Sequence, residues 1–204
     1  MAKTTFGEEI YLRALTGGLV GAQMLVDYAK VAFVSPRNII CAATSAAAEA
    51  AYIHETGAQA AHFVAEAGNE AETAQALAAF QPEAIVLMFG GETPIEETKA
   101  IFLDLLKAIA TADIPADIVL HVRIFAAGGL TAALQDQATA EYLQNSEVFV
   151  YTVDLDRGLF VYNFVLFSEE GASLEPLLAF PVTVEHADLL NRSLRDKTLQ
   201  WVDA

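Results

Sequence analysis

Residues 14–21, Ala14-Leu15-Thr16-Gly17-Gly18-Leu19-Val20-Gly21, decide how the chain is read, because they admit two structures. Glycine lacks a Cβ, so Gly17, Gly18 and Gly21 permit either positive φ in a tight loop or close backbone approach to another element. In the first structure the segment is a loop between a strand and a helix, and backbone N–H groups at the helix N-terminus hold a phosphate. In the second, Gly17 and Gly21 only let a helix pack closely on a sheet. The residues before it, EIYLRA (Glu9 to Ala14), read as a short strand. Those after it, LVGAQMLVDYAKVAFVS, have helical character, with Leu19, Met24, Tyr28 and Phe33 near one another around the helix. Their later part, VAFV, is β-branched and suits extended chain as well, and Pro36 favours a stop before it.

Downstream, the apolar pattern switches period repeatedly, as alternating strands and helices do. NIICAAT (Asn38 to Thr44) reads as a buried strand, and Ser45 can cap the helix AAAEAAYIHET, which Gly57 ends. AQAAHFVAE is the next strand, and Asn69 with Glu72 forms a capping-box analogue opening a helix to Phe80. EAIVLMF is a strand closed by Gly90-Gly91. Thr93, Pro94 and Glu96 start a helix running to about Ala112. ADIVLHVRIF is a strand ended by Gly128-Gly129, a helix covers Thr131 to Asn145, and EVFVYTV is a strand. DLDRG (Asp154 to Gly158) is a turn into the alternating LFVYNFVLF. Residues 169–180 read as irregular, followed by a helix from Glu185 to Leu194 and an extended KTLQWV. Short links between strands and helices predict a three-layer α/β fold, Rossmann-like, with a mostly parallel, doubly wound sheet. One domain spans residues 1–204, in which 154–204 form a small C-terminal substrate or edge region.

Composition bounds the function. With 54% hydrophobic and 19% charged residues the chain is globular. A formal net charge of -16, with eleven scattered Lys and Arg, repels phosphate backbones and argues against direct nucleic-acid binding. Cys41 is the single cysteine, which excludes an internal disulfide and a Cys-rich metal site; its apolar neighbours make it a core thiol. The histidines show no metal spacing. The N-terminus carries acids where a signal peptide needs its apolar centre, and no apolar run reaches membrane-spanning length, so the expected location is cytoplasmic without membrane contact.

The order of these parts resembles the atypical short-chain dehydrogenase/reductases, in particular the NmrA-like NAD(P)-binding proteins. IYLRALTGGLVG resembles that family's first strand and TGxxGxxG loop, AIVLMFGG its fourth strand, ATAEYLQNSEVFVYTV its E-x-L-x-x-S-G-x-x-Y-T-I segment (Glu141, Leu143, Ser146, Tyr151, Thr152), and VTVEHADLL its short helix bearing Asp188. The resemblance implies a dinucleotide, NAD or NADP. It would lie against Thr16, Gly17, Gly18, Leu19, Val20 and Gly21, then Thr44, Glu66 and Ala67, and finally Phe89, Gly90 and Gly91. Leu15 stands where the family's first glycine makes its tight turn. ATSA, after NIIC, carries neither the Asp nor the Arg that would choose between the two cofactors. Ala133 and Gln137 replace the Tyr-x-x-x-Lys pair that moves a proton in many such enzymes. The implied function is an NAD(P)-binding oxidoreductase-like protein; the alternative is a non-catalytic dinucleotide sensor or partner-binding scaffold.

Outside those motifs, alternation places His121 and Arg123 on one face of their strand, and His62 and Glu66 on one face of theirs. The first pair supplies weak catalytic candidates, or a substrate pocket with Arg123 as an anion clamp. The other readings are an edge strand whose polar side chains reach water and a structural Glu66–Arg123 pair. The aromatic-rich stretch from Phe149 to Phe167, with Trp201, forms core or a homodimer surface.

Overall fold

The computed structural model describes residues 4–168 and 171–194. Its first element corrects the reading of the opening segment: EIYLRA and ALTGGLVG belong to one helix, α1 (Phe6–Leu19), which continues as a π-helical turn over Val20–Met24. Thr5 is the N-cap. Its side chain accepts from the Glu8 N–H, and the Glu8 carboxylate accepts from the Thr5 N–H, a capping box that satisfies two orphan donors. VAFV takes its extended alternative, inside β1 (Lys30–Pro36). NIICAAT is not a strand either. Asn38 accepts the Cys41 N–H through its side chain, and α2 runs over Ile39–Thr56, so Ser45 lies inside the helix rather than at its cap. Gly57 ends α2 as expected, at φ 64°.

From there the sequence reading and the structure mostly agree. β2 (Gln59–Ala65), α3 (Glu70–Phe80), β3 (Ala84–Leu87), α4 (Ile95–Thr111) and β4 (Asp117–Leu120) follow in order. The Asn69–Glu72 capping box does not form. The Asn69 side chain turns back instead, accepting from the Glu66 N–H and donating to the Val64 carbonyl. Pro94, not Thr93, takes the N-cap position of α4, and no side chain caps it. The strand expected through Phe125 stops at Leu120. There His121 becomes an N-cap, its Nδ1 accepting the Arg123 N–H at 3.1 Å, and α5 (Val122–Ala126) begins. The helix expected over 131–145 is two, α6 (Gly129–Ala133) and α7 (Gln137–Asn145), the second capped by Asp136. β5 (Val148–Asp154) and β6 (Leu159–Ser168) flank the expected turn. The stretch 169–180, read as irregular, is corrected by β7 (Gly171–Pro181), and α8 (Val184–Leu194) is the last described element. KTLQWV and Trp201 lie outside the described residues.

The seven described strands form one sheet in the order β2-β1-β3-β4-β5-β6-β7. The first five are parallel and the last two antiparallel. This mostly parallel α/β architecture bears out the expected fold class. Its 2-1-3-4-5 order is the flavodoxin-like arrangement, not the 3-2-1-4-5-6 order of dinucleotide-binding Rossmann domains, which corrects that part of the expectation. Alternate strand residues feed two cores, as burial of both faces requires. Val31, Phe33, Val86 and Val119 pack with Val20, Met24, Ala48 and Tyr52 on the α1–α2 side. Ala32, Val34, Ile85 and Leu120 pack with Leu77, Phe102, Leu105 and Leu143 on the α3, α4 and α7 side.

Candidate functional site

The glycines of ALTGGLVG make a helix contact. A Cβ on Gly17 would lie 2.1 Å from the Thr44 carbonyl oxygen, and one on Gly21 2.0 Å from that of Ala48, so both glycines press α1 and its extension onto the backbone of α2. Gly18 faces away, with nothing within 4 Å of its Cβ position. The close-packing alternative is therefore the right one, with a helix rather than the sheet as the packed partner. Backbone N–H groups inside a helix are used by the helix and offer nothing to a phosphate. Other residues tied to a dinucleotide are also engaged elsewhere. The Thr44 hydroxyl donates to the Ile40 carbonyl, Glu66 pairs with Arg37 at 2.8 Å on the surface, and Thr16 is 3.1 Å from His186 Nε2. Leu19 and Val20 belong to the helix, and Ala67 sits in the turn after β2. The residues present do not form a dinucleotide cradle. Glu66 and Arg123 do not pair, and His62 bonds Ser35 at 2.9 Å instead.

In a 2-1-3-4-5 sheet, ligands favour the crevice at the carboxyl ends of β1 and β3, where the strand order reverses. Here the chain's own segment after β3 fills that place. Phe89 is fully buried, and Glu92 Oε1 accepts the Ile40 N–H at 3.2 Å, so an internal carboxylate occupies the N-terminus of α2. Asn38 donates to Thr93 Oγ1 at 3.3 Å. Gly90 and Gly91 do mark the carboxyl edge, as the sequence suggests, but as points of close approach. A Cβ on Gly90 would be 2.1 Å from His121 Nε2, and one on Gly91 2.2 Å from Asn38 Oδ1.

One strand further on, a cavity of about 270 Å³ opens beyond the ends of β4 and β5, between α1 and α8. Its polar wall is Arg13 and Thr16 from α1, His121 and Arg123 from the β4–α5 junction, and Tyr151 and Thr152 from β5. Its apolar wall is Val122, Ala126, Val153, Leu155 and Phe160, closed by Leu190 and Leu194 of α8. The structure thus unites the expected candidates His121 and Arg123, although on a helix start and not on a strand face. It adds Arg13, which the strand reading of EIYLRA concealed. The signal for Arg13 was the Thr5-x-x-Glu8 box, which makes Glu9 and Arg13 an i, i+4 pair.

Two guanidinium groups inside a protein of net charge -16 need explanation. Arg13 is 4% exposed and pairs with Glu9 Oε2 at 3.5 Å; Glu9 in turn accepts a hydrogen bond from the Thr4 hydroxyl. Arg123 is 5% exposed and donates to the carbonyls of Gly91 and Thr93, the latter at 3.0 Å. Among the described residues no carboxylate pairs with Arg123, and its Nε has no hydrogen-bond partner. Burial pushes Arg123 down from its ordinary value, with Cys41 opposing and Arg13 adding to that push. A guanidinium nevertheless stays charged in proteins. Burial, then Arg13 and Arg123, hold His121 well below the ordinary imidazole range, so it is neutral. Because Nδ1 accepts, Nε2 carries the hydrogen, and that buried donor also lacks a partner. Burial pushes the Tyr151 hydroxyl and the Cys41 thiol up, so both keep their protons. The Tyr151 ring stacks on Phe160, centroids 5.1 Å apart, and meets His121 edge-on at 5.2 Å. The polar wall is therefore rigid and cationic. No group of three His, Cys, Asp or Glu among the described residues could hold a metal ion.

The family comparison overturns the dehydrogenase resemblance, since the family that matches is not the NmrA-like one. No curated protein matches the chain. A branched-chain amino acid ABC transporter structure from Rhodospirillum rubrum aligns at 15% identity and TM-score 0.49, covering 69% of this chain and 37% of that one. The closed form of a leucine-, isoleucine-, valine-, threonine- and alanine-binding protein from Brucella ovis aligns at 11% identity and TM-score 0.42, covering 85% of this chain and 63% of that one. No helix among the described residues is long and apolar enough to cross a membrane. The model of a family described as "Uncharacterized protein" matches residues 9–189, and the chain belongs to that family.

Proposed function

We propose that this chain is a small-molecule-binding domain whose cavity between α1 and α8 takes an organic anion. One observation carries the reading: Arg123 is a buried cation held by two carbonyls, with no carboxylate partner among the described residues. Burying a charge without a counter-charge is costly, and a site that tolerates the cost in the free protein is suited to a ligand that removes it. The unused Nε–H of Arg123 and Nε2–H of His121 supply directed donors. Each such buried, unpaired donor costs about 1–3 kcal/mol.

The test is thermal unfolding of the full chain in sodium propanoate against sodium chloride of equal ionic strength. A native-state ligand stabilises by RT ln(1 + [L]/Kd), about 2.7 kcal/mol at a hundredfold excess over Kd. Propanoate should raise the midpoint of the wild type and leave Arg123→Gln where chloride leaves it. An equal response in both proteins, or none in the wild type, sinks the proposal.

A further inference from the structure

The same cavity restricts which anion it can take. Resting on the anion-binding reading above, we infer that it selects aliphatic monocarboxylates that carry no ammonium group. Charge sets the first restriction. Arg13 and Arg123 contribute two positive charges, and Glu9, bonded to Arg13 and Thr4, returns one negative charge. His121, Tyr151 and Cys41 are neutral, so the described residues of the centre carry one positive charge in excess. A monoanion closes that balance, and a dianion leaves one charge buried in excess.

The second restriction comes from what the wall lacks. Among the described residues no Asp or Glu lines the cavity. The ammonium of an amino acid would lie beside two guanidinium groups with no lining carboxylate among the described residues to receive it, and like charges at short range in a buried site repel strongly. Shape sets the third. The same cavity is lined by Val153, Leu155, Phe160 and Leu190, whose side chains offer no polar atom to a ligand and favour hydrocarbon. At about 30 Å³ for each water-sized unit, the cavity holds about nine non-hydrogen atoms. A branched six-carbon acid fits that space with its carboxylate at the arginines.

Isothermal titration of the full chain with propanoate, 4-methylpentanoate, L-leucine and glutarate tests this. Each added methylene in an apolar site tightens binding about fourfold. The Kd of 4-methylpentanoate should therefore be roughly fifty-fold below that of propanoate. Leucine and glutarate should bind at least about tenfold more weakly than 4-methylpentanoate, the factor that about 1.4 kcal/mol represents. Leu155→Trp, which takes up apolar space in the cavity, should weaken 4-methylpentanoate by at least the same factor and propanoate by less. If leucine equals 4-methylpentanoate, or if Leu155→Trp weakens both acids alike, the ligand class is wrong while the anion site stands. If propanoate binds and the longer acid does not, the result is the same. If no carboxylate binds the wild type, the class and the site fall together.

Discussion

Alanine at each glycine of ALTGGLVG should give opposite signs at neighbouring positions. Gly21→Ala places a Cβ 2.0 Å from the Ala48 carbonyl oxygen and 2.9 Å from the Tyr52 nitrogen, and Gly17→Ala places one 2.1 Å from the Thr44 oxygen. Real Cβ atoms essentially never come within 3.0 Å of such neighbours, so the helices must separate by roughly 1 Å. Both obstacles are backbone within α2 and cannot rotate aside. Overpacking of this kind costs about 1–3 kcal/mol, and the upper end applies to backbone. Better helix propensity returns about 1 kcal/mol, leaving a net loss of about 2 kcal/mol at either position. Gly18→Ala meets nothing within 4 Å, so only the propensity gain remains, a stabilisation of about 0.5–1 kcal/mol. Urea denaturation of the three variants reads these differences directly, and thermal midpoints should move by about 2–4 °C per kcal/mol for a chain of this size. Neutral Gly17 and Gly21 variants, or a destabilised Gly18→Ala, would refute the helix-packing account and restore the glycines to a loop.

Other regions allow equally definite expectations. Burial, then Arg13, holds His186 down to about 4 from an ordinary 6.5. Its folded value lies below its unfolded one, so the stability it contributes is present above pH 6.5 and is lost as pH falls from there towards 4. His121 acts in the same direction, so His186→Gln should flatten the stability profile across that window without abolishing its slope. An unchanged slope in denaturation at several pH values would exclude His186 as a contributor. Asn38→Ala removes the cap of α2 and should cost about 1–2 kcal/mol in denaturant unfolding; a neutral result would contradict the helix start observed there.

The parts of the fold legible in sequence are those where period and punctuation agree. β3 and the first half of β5 are short runs buried on both faces, and Gly57 and Gly158 stand at positive φ, one where α2 ends and the other in the turn before β6. The misreadings fall where a short apolar run fits both periods. In EIYLRA, Ile10, Leu12 and Ala14 alternate like a strand, yet Glu9 and Arg13 are buried as a pair that only helical spacing brings together. NIICAAT is apolar enough for a strand, and its capping asparagine was the overlooked cue. β7 escaped notice because Glu175 and Pro176 interrupt it. Both are tolerable where a strand pairs on one side only, as β7 does with β6 among the described residues. In the cavity, His121 and Arg123 were legible as a polar pair in an apolar run. Their partners Arg13, Leu155 and Leu190 come from distant elements that no local pattern links.

The feature that removes a phosphate loop is also what builds the cationic wall. Glu9, Arg13, Gly17 and Gly21 recur every four residues, so they form one stripe along α1 and its extension. Gly17 and Gly21 draw the later part of that stripe onto the α2 backbone. The earlier part is then carried in over the carboxyl ends of the strands, where Glu9 and Arg13 are 3% and 4% exposed. Without that close approach Arg13 would sit further from His121 and Arg123 and could keep water about its guanidinium. With it, two arginines share one buried site in which, among the described residues, Glu9 supplies one carboxylate. The helix contact thus creates the electrostatic deficit that an anionic ligand would fill, and the packing glycines act on the site through Arg13 without touching the ligand.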